Sequence, residues 1–153
     1  LKRMNYILAG ILLVSGGACF GAEGDDSVDY PYSAVITGDG VYVRSGSAEM
    51  YYFTGQLNKG DKIVVADKRF SWCKILPPAG SFSWIAKEFV EIDKNDPSVG
   101  VVGNDKVYVW AGTEHLDPED STTDQRQLNK GDKVKLLGEE KGDYYKIAPP
   151  VGV

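Results

Sequence analysis

The chain has 153 residues, with 17 Lys and Arg against 22 Asp and Glu and a net charge of −5. A field of that sign excludes binding to nucleic acid or to anionic surfaces, teichoic-acid-like polyanions included, through bulk electrostatics. Two cysteines and one histidine give no disulfide framework and few side chains for metal or nucleophilic chemistry.

Residues 1–21 read as an export signal: Lys2 and Arg3 give a positive start, Tyr6 to Val14 an apolar run, and "SGGACFGA" a small-residue cleavage zone. The run is shorter than the roughly 20 apolar residues a spanning helix needs, and the rest of the chain has nothing closer. Leu1 in place of Met points to a non-standard start or a frame open upstream. Cleavage fits after Ala18 or Gly21. Cys19 raises lipidation as the alternative to simple secretion, although "SGGA" lacks the Leu-like residue of a lipobox. Without Lys2 and Arg3, 15 basic residues face 22 acidic ones, a net charge of −7. Cys73 is then a lone thiol, read as buried and inert. Residues 22–33, "AEGDDSVDYPYS", have little apolar content and read as a disordered lead-in.

From here the chain repeats itself. "VYVRSG" at 41–46 answers "VYVWAG" at 107–112, "LNKGDK" stands at both 57–62 and 128–133, and "WCKILPPAG" at 72–80 answers "YYKIAPPVG" at 144–152. Matching blocks in one order indicate an internal duplication. The offset grows from 66 residues at Val41 and Val107 to 71 at Leu57 and Leu128, so the second copy carries an insertion. "TEHLDPEDSTTDQRQ" is therefore expected as a long exposed loop. Residues 93–100, "DKNDPSVG", suit a linker.

The regular segments alternate with period two, which predicts strands and no helical domain. Val41, Val43, Cys73, Ile75, Val134 and Leu136 fall on the inward phase, and Tyr42, Arg44, Trp72, Lys74, Lys133 and Lys135 on the outward one. "NKGD" between Leu57 and Ile63 reads as a hairpin turn, with Gly60 at a positive φ and Asn58 and Asp61 bonding to the backbone. The six-residue word recurs because the turn recurs.

The order Val43-Arg44-Ser45-Gly46, then the Lys-Gly turn, Trp72-Cys73-Lys74-Ile75, Trp84-Ile85 and Phe89-Val90 resembles the bacterial SH3 (SH3b) family, over residues 34–92 and again over 101–153. The resemblance implies two tandem SH3-like β-barrels of five or six strands each. "SFSWIAKEFVEI" (81–92) ends the first module and has no counterpart in the second, which is therefore expected to be incomplete and the chain a fragment. Trp110-Ala111 replaces Arg44-Ser45, so any ligand contact of Arg44 is not duplicated.

Catalytic chemistry is not evident. His115 and Cys73 lie in different modules, and the acidic stretch around Glu114, Asp117, Glu119, Asp120 and Asp124 has no metal-binding spacing. No catalytic residue, metal or cofactor is expected. Candidate ligand contacts are Tyr42, Trp72, Tyr108, Trp110 and Tyr144 on the outward phase, Tyr52 in the aromatic loop, and Arg44, with rim packing as the alternative for each ring. Trp110 is the foremost, being large, outward and not required by its strand. The resemblance implies a non-enzymatic, monomeric binding module, secreted or periplasmic in the cell envelope, with a lipid anchor at Cys19 as the alternative to simple secretion. Its partner would be peptidoglycan or an envelope protein. The alternatives are the targeting part of a larger cell-wall hydrolase and a purely architectural pair.

Overall fold

The computed structural model describes residues 9–13 and 29–150. Cys19, most of the expected export signal and residues 22–28 of the lead-in lie outside them. The chain divides into two compact units, an N-terminal one over residues 8–79 and a C-terminal one built on residues 80–153.

The N-terminal unit is one antiparallel sheet. It comprises β1 (Ala9–Leu13), β2 (Tyr32–Val35), β3 (Val41–Arg44), β4 (Phe53–Leu57), β5 (Lys62–Arg69) and β6 (Trp72–Ile75), in the order β2-β5-β6-β1-β3-β4. The C-terminal unit comprises β7 (Ser83–Ala86), β8 (Val90–Ile92), β9 (Val99–Val102), β10 (Val107–Ala111), β11 (Asp124–Leu128), β12 (Lys133–Lys141) and β13 (Tyr144–Ile147). Their order is β11-β10-β7-β13-β12-β9-β8. Read from β9 to β11, this is the N-terminal order strand for strand, with β8 added at the edge. Even the bulges recur, between Val43 and Arg44 in one unit and between Val109 and Trp110 in the other. Among the described residues the only helical turns are 3-10 turns at 87–89 and 118–120, and no helix is long and apolar enough to cross a membrane.

Alternation explains the strands. Val43, Leu57, Ile63, Val65, Cys73 and Ile75 pack with Ile36 as one core, and Val102, Val107, Val109, Leu128, Val134 and Ile147 with Ile85 and Val90 as the other. Burying each such aliphatic side chain contributes about 1.5–3 kcal/mol.

Several expectations change. Residues 81–92 do not end the first unit: β7 lies between β10 and β13 in the C-terminal one, with Trp84 opposite Trp110 and Ile85 opposite Tyr145. The gap that the second copy shows in sequence is thus filled from upstream, where an unfilled gap would leave two sheet edges unpaired. The expected linker is the turn of a hairpin: β8 pairs with β9, Asp93 N–H donates to Val99 O, and the Asp96 carboxylate accepts from Ser98 N–H at 2.9 Å and Oγ at 2.7 Å. The expected exposed loop buries Thr113, Pro118 and Ser121, and its end becomes β11. Tyr32 and Ser33, placed in the lead-in, begin β2.

"LNKGDK" is a turn but not a hairpin turn. β4 pairs with β3, whereas β5 pairs with β2 and β6, so the word carries the chain between strands that are not neighbours. Gly60 and Gly131 take φ of 95° and 92°, the region that only glycine enters cheaply. Asn58 N–H donates to Asp61 Oδ2, and Asn129 N–H to Asp132 Oδ2, both at 2.8 Å. The turn is then fastened to the earlier loop between β2 and β3. Gly40 N–H donates to Asn58 Oδ1 at 2.9 Å, Lys59 N–H to Asp39 Oδ1 at 3.2 Å and Gly60 N–H to Ile36 O at 2.8 Å. The second copy repeats each with Lys106, Lys130 and Gly131 donating to Asn129, Asp105 and Val102. Asn, Gly and Asp each have a separate bond or angle to satisfy, which explains why the word is duplicated unchanged.

Candidate functional site

On the C-terminal unit, β10 alternates as its sequence predicts: Val107, Val109 and Ala111 point into the core while Tyr108 and Trp110 share the other face. Tyr108 is 45 % exposed, Trp110 is half-buried, and their rings stack with centroids 5.5 Å apart and planes at 26°. The register of β7 against β13 brings Tyr144 opposite Ala86. The three expected contacts Tyr108, Trp110 and Tyr144 therefore line one open groove of about 310 Å3, together with Phe89, Glu88 and Asp105. The arrangement offers flat aromatic faces beside two carboxylates, chemistry suited to the apolar face of a sugar ring and to amine or hydroxyl donors.

Phe89 and Glu88 were not expected here. Both lie in the segment 81–92 that the sequence assigns to the other module. The signal that could have found them is the missing counterpart of that segment in the second copy.

The N-terminal unit uses the matching positions differently. The Tyr42 ring, 42 % exposed, packs against Phe53 at 5.3 Å, and the Arg44 guanidinium lies 5.8 Å from its centroid. Arg44 Nη1–H donates to Tyr51 O at 2.8 Å, so this arginine fastens the loop that carries the aromatics. Trp72 departs from expectation: it takes the phase opposite to the core residues Cys73 and Ile75, yet it is buried, at 8 % exposed. β6 therefore buries both Trp72 and Cys73 at its start, as a short strand covered on two faces does. Tyr52 is half-buried in the loop before β4.

On the same sheet face, two residues along β13 from Tyr144, a charged clamp holds the insertion loop. Lys146 Nζ lies 4.2 Å from the Phe82 ring centroid and pairs with Glu114 and Glu139, each at 2.9 Å. Burial alone would lower its pKa, but hydrogen bonds to Glu139 and Glu114 outweigh that and hold the ammonium above its ordinary value. His115 neighbours this clamp in sequence, yet among the described residues no group of three His, Cys, Asp or Glu side chains is placed to hold a metal ion.

Phe70 is a third residue that sequence reasoning passed over. It sits at the β5–β6 tip with φ 53° and is 96 % exposed, where the second copy has Gly142 at φ 54°. Compared with protein-family models, with curated proteins and with solved structures, the chain matches none of them.

Proposed function

We propose that the chain is an exported, non-enzymatic binding protein of the bacterial cell envelope. In this reading each unit is an SH3b-type barrel, residues 1–21 direct export, and the partner is peptidoglycan. The observation that carries it is the groove of the C-terminal unit, where Tyr108, Trp110 and Tyr144 converge beside Glu88 and Asp105. Stacked rings suit glycan faces, and the carboxylates suit the amines and hydroxyls of glycan and stem peptide. The resemblance of the repeated motifs to the SH3b family supports the same partner class. Tandem units would raise avidity for a polymer if both engage it, but the Tyr42–Arg44 and Tyr108–Trp110 pairs predict unequal sites.

The test is co-sedimentation of the chain with purified sacculi. Binding that falls with Trp110→Ala and less with Arg44→Ala supports the groove as the wall-recognition site. A chain that stays in the supernatant makes an envelope protein the partner instead.

A further inference from the structure

The two units repeat one strand order, and each has one position filled from outside the duplicated blocks. In the C-terminal unit that position lies between β10 and β13 and holds β7. In the N-terminal unit it lies between β3 and β6 and holds β1. The registers coincide on both flanks. Leu13 faces Trp72, Leu12 faces Cys73 and Ile11 faces Lys74; in the other unit Ala86 faces Tyr144, Ile85 faces Tyr145 and Trp84 faces Lys146. Across the opposite flank, Ile11 faces Arg44 where Trp84 faces Trp110. Residues 11–13 thus stand where residues 84–86 stand.

The cores show the same equivalence. Outside the segment 81–92, which contributes Ile85 and Val90, every buried member of the C-terminal core has a partly or fully buried counterpart in the N-terminal core. That segment follows β6 in the chain, after residues 76–80.

We infer that the gap between β3 and β6 is a strand-addition site whose occupant, once residues 9–13 leave it, is Ser83–Ala86 of the same chain, returning as a hairpin with β6. Departure of residues 9–13 rests on the export reading above. The tether keeps this segment at an effective concentration on the order of millimolar, which favours it over a second copy. In the shared register Ile85 faces Cys73 and enters the core beside Val43 and Ile75, Trp84 faces Lys74 and Arg44, and the β10–β13 gap is left open. Main-chain bonds on two flanks hold such a strand, and the alternate side chain Ile85 selects it.

The test uses the full chain with Cys19→Ser, so that Cys73 is the only native thiol, and with Ile11→Pro, which removes an N–H that β1 needs for its ladder. Export cleavage is then not required to open the gap. Ile85→Cys adds a thiol opposite Cys73, where antiparallel partners lie about 4.5–5.5 Å apart at Cα and a disulfide fits. A second chain carries Cys73→Ser, Lys74→Cys and Trp84→Cys, and reads the next register position if Ile85→Cys fails to fold. Oxidation with copper phenanthroline is expected to close a disulfide within one chain, several-fold more than when Ile11 is kept. A bond within one chain in either variant supports the inference. Free thiols in both, or bonds only between two chains, overturn it. The intact mass of the exported wild-type chain reads leader removal separately, so failure of the export reading is told apart from failure of the strand exchange.

Discussion

Tyr108 stacks on Trp110 two residues along the same strand, at 5.5 Å and 26°, giving one continuous aromatic face at the mouth of the groove. An aromatic pair of this kind contributes about 0.5–1.5 kcal/mol beyond the area it buries. Trp110→Ala is therefore expected to leave the C-terminal unit folded with a melting temperature a few degrees lower, while affinity for sacculi falls about tenfold, or 1.4 kcal/mol. Trp110→Phe should retain part of the binding. Pelleting assays and thermal melts separate the two effects; unchanged pelleting would discard the groove.

The duplicated turn predicts a graded pair of losses. Asn58 Oδ1 accepts from Gly40 N–H at 2.9 Å, whereas its counterpart Asn129 accepts from Lys106 N–H at 3.4 Å. Asn58→Ala should cost about 1 kcal/mol and Asn129→Ala less, each read by urea unfolding. Equal losses would show that the Asn side chain acts otherwise than through this bond.

Among the described residues, two sit in the left-handed region without being glycine, Phe70 at φ 53° and Lys106 at φ 59°, where their counterparts are Gly142 and Gly40. That conformation costs an L-residue about 1–2 kcal/mol, partly offset by glycine's larger loss of backbone entropy on folding. Phe70→Gly and Lys106→Gly should each stabilise by up to about 1 kcal/mol. A lower melting temperature for either would mean that the side chain makes a stabilising contact.

Gly112 is required for a different reason. A Cβ there would lie 2.2 Å from the Phe82 ring and 2.7 Å from its carbonyl oxygen, the acceptor of the Gly112 N–H. Backbone cannot move aside as a side chain can, so Gly112→Ala should destabilise by about 1–3 kcal/mol. Gly55→Ala, with open space around its Cβ, is the control.

Lys146 gives a pH dependence with a definite sign. Its pKa is raised in the folded protein, so the stability it contributes is fully present below its unfolded value, about 10.4. That contribution is lost as pH rises through the higher folded value. The decline of unfolding free energy above about pH 10.4 should be shallower in Lys146→Met, measured by denaturant titration at several pH values.

The sequence by itself determined the strands, the duplication and the turn. Alternation at Val41, Val43, Val134 and Leu136 is a short-range pattern. The positive φ of Gly and the Asn N–H to Asp carboxylate bond of "LNKGDK" lie within the turn itself, although its Asn side chain also accepts from a loop 18 or 23 residues earlier. The outward phase also marked Tyr108, Trp110 and Tyr144, three of the aromatic rings that line the groove. It misassigned Trp72, because period two says which face a residue takes but not whether another layer covers that face. Only the tertiary structure decided which sheet receives Ser83–Ala86, and with it the contribution of Glu88 and Phe89 to the groove. A strand's partner is chosen by which edges are open elsewhere in the chain, and two copies of one strand order offer the same segment two equivalent edges.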